Sequence, residues 1–359
     1  MRVSILGGGA VAFATAAYLV QAGHDPMLWS PSGKSTESFR GGALLVARGA
    51  VEIQFSPRIA VDCAEAVAEA DVVMLVLPGF GHKATLDALA PHVREGQPVI
   101  ISSHLSFGAL YLSRLLAARG VRAPIVVWGT TVATATKPND TQVNVVTVRK
   151  KVDVAAVPQR AADEALEICT TLFGDRFVKR DGLLAIAVSN LNPQNHLAIA
   201  LMNLTRMELG EVWSQAQHVT PAVGRLIEAL DLERLAIAEA LGVEVRTVKE
   251  HFSLSFHVPP ASVSEMNQEM FRNGNGGFGP KTAVSRYVLE DVPFGLVATA
   301  QLGKLAGVAT PLHDAGITLF SAAYGRDFTM VNDLLPALGI DSLSLEQLKA
   351  LARDGAQPH

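Results

Sequence analysis

Cysteine is almost absent from this sequence. The 359 residues include two cysteines, Cys63 and Cys169, which lie far apart along the chain. Two isolated thiols provide neither a disulfide framework nor a zinc cluster, and the ten histidines show no metal-ligand spacing. The sequence therefore implies no metal. The low cysteine content suits a reducing compartment, so we expect a cytoplasmic protein.

Charged residues and long apolar runs are also scarce. Charged side chains make up 18% of the chain and the net charge is −4, which gives no general attraction to nucleic acid or to an anionic membrane. Every apolar run is interrupted by glycine, proline or charge before it reaches the length of a membrane span. The apolar N-terminus is broken in this way by the glycines at 7–9, which argues against a secretory signal. We expect no nucleic-acid or membrane partner.

The two halves of the chain have different patterns. Up to about Arg180, short β-type runs alternate with helical stretches, which predicts a doubly wound parallel sheet. After that point, apolar residues recur at intervals of three and four, and strand-like runs are rare. The pattern predicts an α/β domain over 1–180 followed by an all-helical domain over 181–359. The long apolar helices also favour a homodimer.

A glycine turn follows the first predicted strand. In VSILGGGAVAF, residues Gly7, Gly9 and Ala12 match the G-x-G-x-x-G/A pattern between a strand and a helix. Small residues there allow a tight turn and bring free helix N–H groups close to a pyrophosphate. A purely structural turn of another α/β fold is the alternative. The residues predicted to contact a nicotinamide cofactor here are Gly7, Gly8, Gly9, Ala10, Val11 and Ala12, with Leu77 and Pro78 at the end of the run ADVVMLVLP.

The turn after the second strand indicates which cofactor binds. NAD-binding proteins usually carry an acid there for the ribose hydroxyls, but WSPSGKS offers Ser30, Ser32 and Lys34 instead. These side chains suit a 2′-phosphate, so NADP is predicted, with NAD as the alternative because Glu37 is close by. A solvated loop without cofactor contact is the other interpretation. His82, which follows the strand-like run ADVVMLVLP, either contacts the cofactor or lies in a solvated loop.

A polar cluster interrupts the apolar pattern of the second half. In NLNPQNHLAIALMN, residues 190–203, several hydrogen-bonding side chains and His196 stand where a buried helix is expected. Asn192 and Pro193 are predicted as the N-cap and the first helical residue. Because buried polar groups are costly without partners, these groups either satisfy one another or face a ligand.

Two runs connect the chain to a known family. SNLNPQNH and RYVLEDVPFGL, together with the glycine turn and most of the remaining chain, resemble the opine dehydrogenases of the octopine/nopaline and carboxyethyl-norvaline type. The resemblance implies a Rossmann-type domain followed by a helical domain, with the substrate between them. It also implies an NAD(P)H-dependent enzyme that reductively joins an amino acid to a 2-oxo acid. Leu197 departs from the family, which often has proline after the histidine.

The resemblance also assigns roles to residues. It implies that His196 and Asp291 form the acid–base pair and that Arg286 matches an arginine just upstream. We expect Arg286 to bind a substrate carboxylate, with Asn192 and Thr131 as further substrate contacts. Without the resemblance, a lone histidine such as His196 is more often structural.

Two other functions remain open. One is a simple 2-oxo acid or ketone reductase of the ketopantoate or glycerol-3-phosphate type, although such enzymes usually use a lysine that the polar helix start lacks. The other is a non-catalytic NAD(P)-sensing protein.

Overall fold

A computed structural model describes residues 1–357 as two compact units. The N-terminal unit comprises Met1–Ala187 and the chain from Glu346 onward, and the helical unit comprises Val188–Leu345. The boundary therefore lies at 187 rather than at the expected 180. The last residues, expected in the helical domain, pack in the N-terminal unit, where Ala356 N–H donates to Ser113 Oγ at 2.8 Å. Helical periodicity reveals an apolar face but not the core against which that face packs.

The strands all belong to the N-terminal unit. They are β1 (Arg2–Leu6), β2 (Asp25–Trp29), β3 (Leu45–Gly49), β4 (Ile53–Phe55), β5 (Arg58–Ile59), β6 (Val72–Leu75), β7 (Val99–Ile101), β8 (Ile125–Trp128), β9 (Ala133–Asn139), β10 (Gln142–Val148), β11 (Val152–Val157) and β12 (Phe177–Lys179). Eight of them form the main sheet, in the order β12-β11-β8-β7-β6-β1-β2-β5. Its pairs are parallel except for β11 against β8. The predicted doubly wound parallel sheet is confirmed.

A second sheet was not predicted. Its order is β4-β3-β10-β9, and it packs on the first helix. The helices of this unit are α1 (Ala10–Gln21), α2 (Glu37–Arg40), α3 (Cys63–Ala68), α4 (His82–Leu89), α5 (Gly108–Ala118) and α6 (Ala162–Phe173). The central strands β6, β7 and β8 are buried along their whole length. Burial on both faces explains why their sequences are continuous apolar runs rather than alternating ones.

The helical unit follows α7 (Gly182–Ser189), which spans the boundary between the units. The next helices are α8 (Asn192–Met202), α9 (Leu204–Glu208), α10 (Pro221–Leu241), α11 (Val248–Phe256), α12 (Val263–Arg272), α13 (Arg286–Leu289), α14 (Val297–Ala306), α15 (Pro311–Tyr324) and α16 (Leu334–Leu338). The last helix, α17 (Leu345–Asp354), belongs to the N-terminal unit from its second residue onward. A π-helical segment, Val292–Leu296, joins α13 to α14. The predicted helical second half is confirmed. Its long helix α10 is followed, as predicted, by Gly242, whose φ of +74° ends the helix.

Within the described residues, no helix combines the length and the apolar character needed to span a membrane.

Candidate active site

The glycine turn links β1 to α1 in a tightly packed setting. A Cβ at Gly7 would lie 2.2 Å from the Val76 carbonyl oxygen, so only glycine fits there. Around Gly9, by contrast, a Cβ would meet no atom within 4 Å, and no side chain caps the start of α1. The space beside Gly9, at the start of α1, is therefore open. Strand order also reverses here, because β2 and β6 flank β1 on opposite sides. These features fit the pyrophosphate of a dinucleotide.

The remaining predicted contacts of this turn differ in exposure. Ala12 is fully buried and lies 3.2 Å from the Cβ position of Gly7, so its small side chain allows α1 to pack closely on the turn. Ala10 and Val11 are partly exposed at the start of α1. Leu77 and Pro78 are partly exposed just after β6. The N-terminal unit thus brings the predicted residues of strands β1 and β6 together at one edge of the sheet.

The serine-rich turn folds back onto the glycine turn. A Cβ at Gly8 would lie 2.6 Å from the Cβ of Ser35 and 3.2 Å from that of Ser30. Ser30 is buried, whereas Ser32 and Lys34 are exposed. Ser35 was not predicted as a contact, because a serine among other turn residues gives no distinguishing signal in the sequence.

The structure supports neither of the two interpretations of His82, as a cofactor contact or as part of a solvated loop. His82 is fully buried, and its Nε2–H donates to the Leu77 carbonyl at 3.0 Å. Burial lowers its pKa to about 4. His104, which follows β7, is also buried, and burial together with the neighbouring His82 lowers its pKa to about 3. We therefore assign both histidines to the core as neutral groups.

The next predicted residue lies in the connection between β8 and β9. Thr131 is partly exposed, and its hydroxyl donates to the Ala133 carbonyl at 2.8 Å. Its own carbonyl accepts a hydrogen bond from Arg149 Nε at 3.0 Å. Nothing in the sequence indicated this bond, because strands β9 and β10 lie between Thr131 and Arg149 in the chain.

Internal hydrogen bonds account for only part of the polar helix start, since the buried Gln194 Oε1 and Asn195 Oδ1 have no partner within the described residues. α8 begins at Asn192, one residue earlier than predicted, and the cap position is Leu191. The first helical N–H, that of Asn192, donates to Asn190 Oδ1 at 3.1 Å. The Asn192 side chain was expected to cap the helix but is exposed instead. Pro193 packs against the π-helical segment, where a Cβ at Gly295 would lie 2.3 Å from its Cγ.

His196 and Asp291 form a hydrogen-bonded pair within the helical unit. His196 Nδ1 lies 2.7 Å from Asp291 Oδ2, and the two side chains are 13% and 2% exposed. A carboxylate only accepts, so Nδ1 carries the proton and Nε2 is left for chemistry. Within residues 1–357, Nε2 has no hydrogen-bond partner and is not sealed from solvent. Asp291 directly precedes the π-helical segment, an irregularity common at functional sites.

Tyr287 covers one face of this histidine. The two rings are parallel to within 10°, with centroids 3.5 Å apart. The Tyr287 hydroxyl donates to Gln215 Oε1. Burial, with a smaller contribution from the charge of Asp291, raises the pKa of Tyr287 to about 12, so its phenol stays protonated. The His196 ring is therefore held at Nδ1 and on one face.

Arg286 presents its guanidinium to solvent near this pair. Its side chain is 61% exposed, and its Nε lies 3.3 Å from Glu290 Oε2. Arg286 and Glu290 are one helical turn apart, and Tyr287 lies between them in the sequence. The arginine is therefore on the same short segment as Asp291.

Comparison with known proteins agrees with both units. Residues 179–324 match the alpha-helical domain of the NAD/NADP octopine/nopaline dehydrogenases, and residues 3–159 match the ketopantoate reductases (PanE/ApbA). An opine dehydrogenase of Arthrobacter sp. strain 1C is 30% identical over 357 residues, which cover 97% of each chain. The chain belongs to the opine dehydrogenase family. It is an NAD(P)-dependent dehydrogenase acting on a CH–NH bond.

Solved structures of other opine dehydrogenases share the fold. Octopine dehydrogenase, solved with NADH and L-arginine and with NADH and pyruvate, gives TM-scores of 0.80 and 0.79 at 17% and 18% identity, covering 100% of this chain and 99% of the other. Yersinopine dehydrogenase with NADP⁺ gives a TM-score of 0.72 at 15% identity, covering 97% and 98%. At these identities the similarity establishes the fold alone.

The sequence did not reveal every residue of this opine dehydrogenase site. Tyr287 and Glu290 stand inside the quoted run RYVLED, and the spacing of four between Arg286 and Glu290 is a detectable signal for an ion pair on a helix. The stack of Tyr287 on His196 joins residues far apart in the chain and had no such signal.

Proposed function

We propose that this enzyme condenses an amino acid or amine with a 2-oxo acid and reduces the resulting C=N bond, with His196 and Asp291 as its acid–base pair. The observation that carries the proposal is the 2.7 Å bond from Nδ1 to Asp291, which leaves Nε2 free to exchange a proton with substrate.

The condensation needs a proton at one defined atom. When the amino nitrogen attacks the 2-oxo carbon, the former carbonyl oxygen becomes a hydroxyl that must leave as water. His196 Nε2–H donates a proton to that oxygen as the C–O bond breaks, and the C=N bond forms. Asp291 stabilises the imidazolium before transfer and fixes the ring orientation. The nicotinamide cofactor, when bound, supplies the hydride that reduces the C=N carbon.

Arg286 is proposed as an anchor for a substrate carboxylate. A guanidinium matches a carboxylate through two parallel hydrogen bonds, and the pair with Glu290 uses the Nε side of the fork. The exposed terminal nitrogens remain available for a ligand. The exposed Asn192 side chain is proposed as a further polar contact. Thr131 of the N-terminal unit is proposed in the same role. The L-arginine and pyruvate named for octopine dehydrogenase support this class of substrates.

NADP is proposed as the preferred cofactor. Ser30 and Ser35 flank Gly8, and Ser32 and Lys34 are exposed on the same turn, so the turn offers hydroxyls and a positive charge to a 2′-phosphate. Yersinopine dehydrogenase is named with NADP⁺ and octopine dehydrogenase with NADH, so both cofactors occur among the structural neighbours. An exposed lysine–phosphate contact contributes about 1 kcal/mol, so the preference is expected to be about tenfold or less.

The cofactor proposal is tested by comparing kcat/KM and Kd for NADPH and NADH in the wild type and in Lys34→Ala. We expect the variant to lose affinity for NADPH while its affinity for NADH is unchanged. Equal use of both cofactors by the wild type contradicts the assignment of this turn.

A second function is favoured by one observation, the match of residues 3–159 to ketopantoate reductases. Such an enzyme reduces a 2-oxo acid without an amine. The deciding experiment combines a panel of amino acids and amines with pyruvate, glyoxylate, 2-oxoglutarate and longer oxo acids, follows NADPH and NADH oxidation, and identifies products by mass. Cofactor oxidation that requires both partners and yields a secondary amine supports the proposal. Oxidation with the oxo acid alone supports simple carbonyl reduction instead.

A further inference from the structure

Arg149 is fixed at the carboxyl edge of the main sheet, just after β10. Its backbone N–H donates to the Val132 carbonyl at 2.8 Å, and its backbone carbonyl accepts from Arg176 at 2.7 Å. Its side chain is held by the bond from Nε to the Thr131 carbonyl at 3.0 Å. Three bonds therefore set the direction of a side chain that lies beside the segment following β8.

The charge of Arg149 has no counter-ion within the described part of the chain. No carboxylate there forms an ion pair with it, and its two terminal nitrogens have no hydrogen-bond partner although they remain open to solvent. Burial lowers the pKa of Arg149. Arg180, another partly buried arginine of this unit, lies 3.0 Å from Asp153, and the buried Arg234 of the helical unit lies 2.7 Å from Asp231. Partly desolvated charges are costly without a partner, so Arg149 is suited to a bound anion.

The position of Arg149 in the sheet favours a substrate anion over the cofactor pyrophosphate. The glycine turn follows β1, and β6 and β7 separate β1 from β8. Neighbouring strands are about 4.8 Å apart, so the end of β8 lies about 14 Å from the start of α1. That distance is too long for a direct contact between Arg149 and phosphates at the glycine turn, but it leaves the ends of β7 and β8 for a small molecule.

We propose that Arg149 binds a carboxylate of one of the two substrates through its terminal nitrogens. The proposal rests on the proposed function, because joining an amino acid to a 2-oxo acid gives a product with two carboxylates. The substrate class is accordingly an amino acid with a free carboxylate together with a 2-oxo acid.

The kinetic test uses Arg149→Gln and Arg149→Lys, with Arg58→Gln as a control that removes the same charge from an exposed ion pair of the same unit. Charge-assisted hydrogen bonds contribute about 1.5–3 kcal/mol, so Arg149→Gln should raise one KM about 10- to 100-fold. Arg149→Lys should retain part of the affinity, because it keeps the charge but loses the planar fork. Arg58→Gln should leave both KM values within twofold, and the Kd of NADPH should not change in any variant.

The two possible sources of the carboxylate are separated by the substrates used. If the oxo acid supplies it, the KM of the oxo acid rises whichever amine is present. If the amino acid supplies it, the KM rises for the amino acid but not for the amine that lacks its carboxylate. Unchanged KM values for both substrates, or a parallel rise in the Kd of NADPH, overturn the proposal.

A binding measurement separates this proposal from failure of the proposed function. Oxamate, an unreactive analogue of pyruvate, is titrated calorimetrically into the NADPH-saturated full-length protein, and a second titration uses the amino acid. At least one should bind the wild type and lose at least tenfold affinity in Arg149→Gln, even if no substrate pair is turned over. Equal binding by wild type and variant, or no binding of either compound to the wild type, contradicts the anion site.

Discussion

In the N-terminal unit, His82 and His104 are buried without a carboxylate partner, whereas His196 and His313 of the helical unit each lie 2.7 Å from a carboxylate oxygen. The first two keep unpartnered Nδ1 atoms, and burial lowers their pKa values to about 4 and about 3. Burial alone therefore produces neutral histidines. A negative charge beside a buried histidine favours the protonated form and opposes this effect of burial.

The helical unit shows that a carboxylate is not sufficient either. His313 is fully buried, with Nδ1 bonded to Glu233 and Nε2 lying 3.1 Å from Gln194 Nε2, so both ring nitrogens are occupied. Burial alone would raise the pKa of Glu233, but hydrogen bonds from the His313 ring and from two backbone N–H groups lower it overall. His196 differs in having one free nitrogen. We infer that His313 is structural and that its bond to Gln194 orients the first turn of α8.

The largest expected effect is on kcat, in variants of His196 and Asp291, the pair in which the histidine Nε2 is free. His196→Ala should reduce kcat by about 10²–10⁴-fold, because proton transfer by a positioned side chain contributes that much, while the Kd of NADPH stays the same. Asp291→Asn should reduce kcat somewhat less. The double variant should lose far less than the product of the two single losses, since coupled groups act as one unit.

The control for this prediction is His104→Gln, which replaces a buried histidine that has no carboxylate partner. It should lower stability but leave kcat of the folded protein within a few-fold. Full activity in His196→Ala, or an equal loss in both histidine variants, contradicts the distinction between paired and unpaired histidines.

The next effect concerns stability of the helical unit. His313→Leu leaves Glu233 with two backbone N–H donors, of Leu312 and of residue 313, and leaves the buried Gln194 without its side-chain partner. Leaving a buried hydrogen-bonding group without its partner costs about 1–3 kcal/mol, so the free energy of unfolding in urea should fall by about that amount. Exposed His92→Leu is the control and should change it by less than about 0.5 kcal/mol. If kcat of the folded variant falls as well as its stability, His313 has a direct catalytic role.

The unpaired histidines predict a dependence of stability on pH. The pKa of His82 is about 4 in the folded protein and about 6.5 when unfolded, so between these values the unfolded chain binds the extra proton. The contribution of His82 is therefore complete above about pH 6.5 and is lost as pH falls towards 4, a total of about 3 kcal/mol. His82→Gln should make the free energy of unfolding less steep in pH over this window. An unchanged slope between pH 7 and pH 5 contradicts the assignment of His82 as neutral.

Part of the fold and part of the candidate site could be predicted from the sequence. Alternating strands and helices, and the change to helical periodicity, are local patterns, and they predicted both folds. His196 and Asp291 were found through the family resemblance rather than through periodicity. The stack of Tyr287 and the bond from Arg149 to Thr131 join distant positions, and a single sequence carries no record of such contacts. The second sheet was missed for the same reason, since β3 and β10 are parallel neighbours far apart in the chain.

The smallest expected effect concerns the ring that covers His196. Tyr287→Phe keeps the stacked ring and removes only the bond to Gln215, so kcat should stay within about twofold. Tyr324→Phe is the control and should behave in the same way, because its lost hydroxyl bonds to a carbonyl elsewhere in the unit. Tyr287→Leu removes the ring face. An aromatic face stabilises a cation by about 1 kcal/mol, so kcat should fall about fivefold. Full activity in Tyr287→Leu would mean that the bond to Asp291 holds the histidine without help from Tyr287.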